Sequence, residues 1–100
     1  MRSYDIRYLP VAEEDLNEIV DYLLEYSVDA ANEFIDALEG LEGQLSNFPE
    51  SAPLMQNRKL RNRGYRMLVV DEYLLFYTLR NECMFVMRII HGKRDYLALL

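Results

Sequence analysis

The side chains of this sequence that could do chemistry are concentrated in two basic stretches of its second half. Arg58-Lys-Leu-Arg-Asn-Arg-Gly-Tyr-Arg66 packs five cations into nine residues, and Arg88, Lys93 and Arg94 follow around His91. Guanidinium and ammonium groups gathered in this way hold phosphates or carboxylates, which points to an anionic partner. Lys59, Arg61 and Arg94 have no apolar strand pattern around them and are expected to be free for function. Arg66 and Arg88 lie among apolar residues and divide evenly between function and pairing with acidic residues of the same fold. An anion-binding reading requires the cations between positions 58 and 94 to converge in one pocket.

Other chemistries are excluded by spacing. Cys83 and His91 resemble a nucleophile and its base, but eight residues along one strand place them about 26 Å apart. His91 is the single histidine and no Gly-x-Ser-x-Gly elbow exists, so a serine triad has no support. Gly40, Gly43, Gly64 and Gly92 match neither a phosphate loop nor a dinucleotide fingerprint, and no cofactor is expected. One cysteine and one histidine cannot make a nitrogen and sulfur zinc site, and the acids of the first half lack the spacing of a calcium loop.

With 100 residues, 51% hydrophobic and 28% charged, the chain suits one globular domain over residues 1–100. No stretch approaches the roughly 20 apolar residues of a bilayer span, and the start is charged, so a cytoplasmic protein without membrane contact is expected. A lone cysteine agrees with a reducing compartment. The net charge of −6 divides sharply: residues 1–54 carry 2 basic and 13 acidic side chains, residues 55–100 carry 9 basic and 4 acidic. An acidic face and a basic face follow, or two halves that attract each other.

The elements that must position these groups are legible from period. Arg2 to Leu9 alternates as a half-buried strand, which Pro10 stops. Proline at a first helical position, with Glu13, Glu14 and Asp15 behind it, opens a helix to Tyr26 whose apolar stripe is Ala12, Leu16, Ile19, Val20, Leu23 and Leu24. Ser27 caps a second helix, and the acids of the first helix are expected on a solvated face. Gly40 and Gly43, with Glu42 inside the stripe, predict irregular or closely packed last turns. Phe48-Pro49 ends a helical hairpin. Tyr65–Val70, Tyr73–Leu79 and Cys83–Ile90 then read as three strands joined by tight hairpins, apolar on both faces. Arg58–Arg63 is expected as a short strand or basic loop. The fold class is α+β, a helical hairpin packed on an antiparallel sheet of three to five strands in the order β-α-α-β-β-β.

The order of these pieces resembles the RelE/ParE toxin superfamily of bacterial type II toxin–antitoxin modules. Nearly the whole chain takes part: strand, acid-rich helix opening, hairpin, Phe48-Pro49, the basic segment with Gly64-Tyr-Arg66, Tyr73-Leu-Leu-Phe-Tyr77 and Arg88-Ile-Ile-His-Gly-Lys-Arg-Asp95. The resemblance implies a toxin that arrests growth and is neutralised by a cognate antitoxin whose extended or helical tail wraps it. RelE-like members cleave messenger RNA in the ribosome; ParE-like members inhibit DNA gyrase.

For an RNA-cleaving member the resemblance implies Lys59 as base, Arg66 and Arg94 on the phosphate, and Tyr96 or His91 in place of a C-terminal tyrosine that falls on Leu100. Arg58, Arg61, Arg63, Arg88, His91 and Lys93 are the expected target-binding set. Asn57 stands where that branch has a lysine. The His91-Gly-Lys-Arg-Asp95 ending before Leu99-Leu100 resembles ParE-like chains, and net acidity opposes a ribosome-binding nuclease, so the reading leans to the gyrase branch. A non-toxic antitoxin-binding module is a further alternative. Apolar surface for an amphipathic partner is expected beside the helices and on the second sheet face, from some of Met55, Met67, Met84 and Met87, with most of these methionines in the core.

Overall fold

Proline lacks an amide hydrogen, so Pro10 cannot extend a strand but fits the first helical turn, and the chain changes element there. The computed structural model describes residues 3–100; the expected beginning of the first strand at Arg2 lies outside them. Strand β1 is Asp5–Tyr8, and helix α1 runs Pro10–Tyr26. Ser27 ends α1 and starts α2, Val28–Asn47, its hydroxyl accepting from the Ala30 amide at 3.0 Å. The second half supplies α3 (Arg58–Asn62), β2 (Arg66–Val70), β3 (Tyr73–Arg80), β4 (Cys83–His91) and the short α4 (Tyr96–Leu99).

The sheet order is β1-β4-β3-β2. Strands β2, β3 and β4 form the expected antiparallel meander, whereas β1 lies parallel to β4, with Ile6 beside Met84 and Tyr8 beside Val86. The α+β class stands with a mixed sheet, because β1 reaches β4 only after the whole hairpin and two strands have intervened. Gly40 and Gly43 interrupt nothing. Both are exposed, a side chain at either would meet no atom within 4 Å, and α2 is helical through both. Arg58–Arg63 is neither strand nor loop but a helical turn, begun by Asn57, whose side chain accepts from the Leu60 amide at 3.1 Å.

The strands are apolar on both faces because both are covered. Tyr73, Leu75, Tyr77, Met84, Val86 and Ile89 meet the hairpin through Ala12, Ile19, Phe34, Leu38 and Leu45. On the other face Phe76 and Ile90 pack with Leu60 and Tyr65, flanked by Met55, Met67, Met87, Tyr96, Leu99 and Leu100. Of the four methionines, Met84 is fully buried on the hairpin side; the other three are half-buried on the second face. A bulge sets the phase of β4: Tyr77 pairs with Val86 but Phe76 with Arg88, leaving Met87 as the extra residue. Without it Arg88 would stand opposite Leu75 in the apolar layer; with it Ile89 takes that place.

Candidate functional site

Beyond Val86 the β4 strand has no β1 residue beside it, since Leu9 makes the last such bond, its amide to the Val86 carbonyl at 3.0 Å. Helix α1 passes there, and Asp15 replaces the missing strand. Its carboxylate accepts from the Ile89 amide at 3.1 Å, from Arg88 Nε at 2.7 Å and from a second Arg88 nitrogen at 2.9 Å. Arg88 also donates to the Leu99 carbonyl at 3.3 Å, tying α4 to the same point. Hydrogen bonding to Asp15, ahead of the opposing effect of burial, raises the Arg88 pKa further above its ordinary value. Asp15 was expected on a solvated face; it is buried, and Arg88 is engaged within the fold.

The Gly64-Tyr-Arg66 segment is built around the end of α3. Gly64, at φ +79°, sends its amide to the Arg61 carbonyl at 2.9 Å, and Tyr65 sends its amide to Leu60 at 3.0 Å while packing in the same apolar cluster. This double closure with a left-handed residue is how a helix ends with its carbonyls satisfied, and glycine adopts that conformation without the clash a Cβ brings. Arg66 follows at the start of β2 and donates to the Ala52 carbonyl. Arg58, Lys59, Arg61 and Arg63 stand exposed on and after α3.

The second basic stretch turns away at the far end of the sheet. His91 closes β4 opposite Tyr73, its ring edge-on to that tyrosine at 5.2 Å. Its Nδ1 accepts from the Lys93 amide at 3.1 Å, and Nε2 lies 3.6 Å from a Glu72 carboxylate oxygen. Arg94 faces α1, where it shares a cavity of about 330 Å³ with His91, Tyr22, Tyr73, Asp15 and Glu18. Lys93 is exposed. Tyr96 instead lies over the second face, its ring 5.5 Å from that of Phe76, and lines an apolar cavity of about 350 Å³ with Met55, Asn57, Met67 and Leu97.

These positions do not form the single pocket that the sequence suggested. Arg66 sits on the rung with Tyr77 and Val86, His91 on the rung with Tyr73 and Val70, and β2 and β4 flank β3 on opposite sides. Two strand spacings across and four residues along separate the Arg66 and His91 backbones by about 16 Å. The lining of the Arg94 cavity brings carboxylates to Arg94, not further cations. Lys59, Arg66, Arg94 and Tyr96 therefore occupy the α3 turn, one edge of the sheet, the α1 side and the second face.

A protein-family model described as the ParE toxin of the type II toxin–antitoxin system parDE matches residues 6–96. The chain belongs to the ParE toxin family. Its toxin fold is shared with a solved structure titled "Chromosomal ParDE TA system from P. aeruginosa", at 17% sequence identity, with 91% of this chain and 98% of that chain covered and a TM-score of 0.60. No curated protein matches the sequence. Membership of a type II toxin family implies a cognate antitoxin as partner. Among the described residues no group of acidic, histidine and cysteine side chains could hold a metal ion, and no helix is long and apolar enough to cross a membrane.

Two features of this ParE-family toxin escaped sequence reasoning. Asp15 was counted among the acids that open α1, yet it falls three residues after Ala12 and four before Ile19, both buried; an acid on the apolar stripe was the available signal. Arg7 and Arg80 are not counted with the cations in the sequence, because Arg7 lies within a strand pattern and Arg80 in the turn expected after Leu79, far apart along the chain. Register brings both to the second face: Arg7 stands beside Phe85, and Arg80 beside Cys83 one alternate position away.

Proposed function

We propose that this ParE-family toxin arrests growth by binding a protein target, DNA gyrase, and that its cognate antitoxin relieves the arrest by covering the toxin. The observation that carries a protein target over RNA cleavage is the dispersal of the cations around the sheet. Cleavage of RNA through its own 2′-hydroxyl needs a base, a phosphate clamp and an acid at one phosphodiester, held within hydrogen-bond reach. The α3 turn that carries Lys59 packs on the second face with Tyr96, while Arg66 at one edge of the sheet and Arg94 on the α1 side lie apart from them; Arg66 donates to a backbone carbonyl, and Tyr96 packs on Phe76. A protein target asks for none of this convergence: separate charged and aromatic patches on one surface are enough.

The test is induction of the toxin without its antitoxin, following growth, plasmid supercoiling and messenger integrity together. The reading expects arrest, loss of negative supercoiling and intact messages. Codon-phased cuts in translated messages that disappear in Arg94→Ala would replace it with the nuclease reading. Unaffected growth beside undiminished antitoxin binding would leave a non-toxic binding module.

A further inference from the structure

The end of α1 carries aromatic surface that the core does not use. Tyr22 and Tyr26 are 50% and 70% exposed, their rings meet edge-on at 5.2 Å, and their hydroxyls bond each other at 2.9 Å. Two neighbouring tyrosines facing solvent add little to the fold, but their few rotamers make them a preset contact surface. The pair continues into the cleft of about 330 Å³ that Tyr22 lines from α1 and that Tyr73 and His91 line from the sheet. Tyr73 is buried, its ring edge-on to His91 at 5.2 Å and braced from the core by Phe34 at 5.3 Å. Burial, then the charges of Glu72 and Tyr26, raises the Tyr73 pKa, which places both of those groups within electrostatic reach of the cleft.

We infer that this tyrosine pair and the cleft beside it grip a lysine or arginine side chain of DNA gyrase, an inference that rests on the gyrase reading above and names the toxin surface that carries it. Charge selects a cation. Glu18 lines the cleft one helical turn before Tyr22, and Asp21 and Glu25 precede the two tyrosines and are exposed. Residues 10–47 as a whole hold eleven acidic side chains and no lysine or arginine. Helix α1 also ends at Tyr26 with no basic residue in its last turn, so the partial negative charge of its final carbonyls is met by no side chain of that turn. The rings select the same partner, because tyrosine faces attract a cation while its alkyl stem packs on them. Asp15 does not compete, its oxygens being taken by Arg88 and the Ile89 amide. Arg94 lines the cleft from beyond β4, so the incoming cation belongs at the end formed by Glu18 and Tyr22.

The experiment measures inhibition of supercoiling by purified gyrase and, calorimetrically, the affinity of toxin for gyrase at about 0.1 and 0.5 M salt. Tyr22→Ala/Tyr26→Ala should raise the half-inhibitory concentration and the Kd about 30-fold or more with an unchanged melting temperature, and Tyr22→Phe/Tyr26→Phe, which restores the rings without the hydroxyls, should recover all but about threefold of that loss. Glu18→Gln should weaken binding about fivefold at the lower salt and less at the higher, against less than about twofold for Glu33→Gln, an equal change of charge at an exposed position of α2. Arg94→Ala, which removes the guanidinium from the cleft, should tighten binding about twofold. The Glu18 and Glu33 variants decide the matter if the alanine pair does not fold. A folded alanine pair within about threefold of the parent overturns the inference, as does a Glu18→Gln no weaker than Glu33→Gln. Tenfold weakening by Arg94→Ala overturns it as well, since the cleft would then hold a carboxylate of the target. A parent toxin inert toward gyrase defeats the functional reading and this inference with it; a potent parent with unaffected variants defeats the inference alone.

Discussion

A carboxylate with less than a tenth of its surface in water is tolerated only when its oxygens are occupied, and Asp15 meets that condition with two Arg88 nitrogens and the Ile89 amide. Asp15→Ala leaves a strand amide without a partner and a part-buried guanidinium with only the Leu99 carbonyl, and should reduce unfolding free energy by about 3 kcal/mol in urea titrations. Glu14→Ala, one residue away and exposed, should change it by less than about 0.5 kcal/mol. Glu42 behaves oppositely. Burial, the largest influence, raises its pKa above the ordinary 4.5, and the Tyr8 hydroxyl beside it is buried without a well-formed hydrogen bond, its own pKa raised by burial and by the Glu42 charge. A carboxyl whose folded pKa is raised stabilises the fold fully below its unfolded pKa, and that contribution is lost as pH rises through the folded value. Glu42→Gln should therefore raise the melting temperature at pH 7, with the advantage disappearing as pH falls below about 4. Glu42 was visible in the sequence as an acid inside an apolar stripe; the Asp15–Arg88 pair was not, because 73 residues separate its members.

At the scale of elements, both helices of the hairpin and all four strands are readable from period, capping and turn residues, since those signals are local. Two structural roles go unread in the sequence for one reason. Asn57 was read as a substitution in a family pattern, not as the cap that turns Arg58–Asn62 into a helix, and Gly64-Tyr-Arg66 was read as a functional motif although Gly64 and Tyr65 terminate that helix. Motif and structural punctuation use the same residue types. Glycine substitutions separate the cases. Gly64→Ala places a Cβ at φ +79° and should cost about 1 kcal/mol. Gly40→Ala and Gly43→Ala fill open space on a helix and should each add about 0.5–1 kcal/mol, all three read from thermal or urea unfolding. The parallel placement of β1 and the α4 turn were beyond sequence reasoning because each is decided by long-range packing.

Over the whole molecule, the division of charge is real but its consequence differs from expectation. The basic half does not fold into one anion pocket; its cations disperse to α3, to the β2 edge, to the end of β4 and to the second face. Among the described residues only Arg88 neutralises a hairpin acid through a formed ion pair, so most carboxylates of α1 and α2 have no such partner there. Such a surface suits a toxin that meets two protein partners in turn better than one that grips a polyanion, whose phosphate contacts demand clustered cations. The most direct measurement is supercoiling of relaxed plasmid by purified DNA gyrase with the purified toxin added, and with antitoxin restored. The account predicts dose-dependent inhibition that the antitoxin reverses and that Lys59→Ala and Arg66→Ala retain. Undiminished supercoiling at toxin concentrations that arrest growth would contradict it.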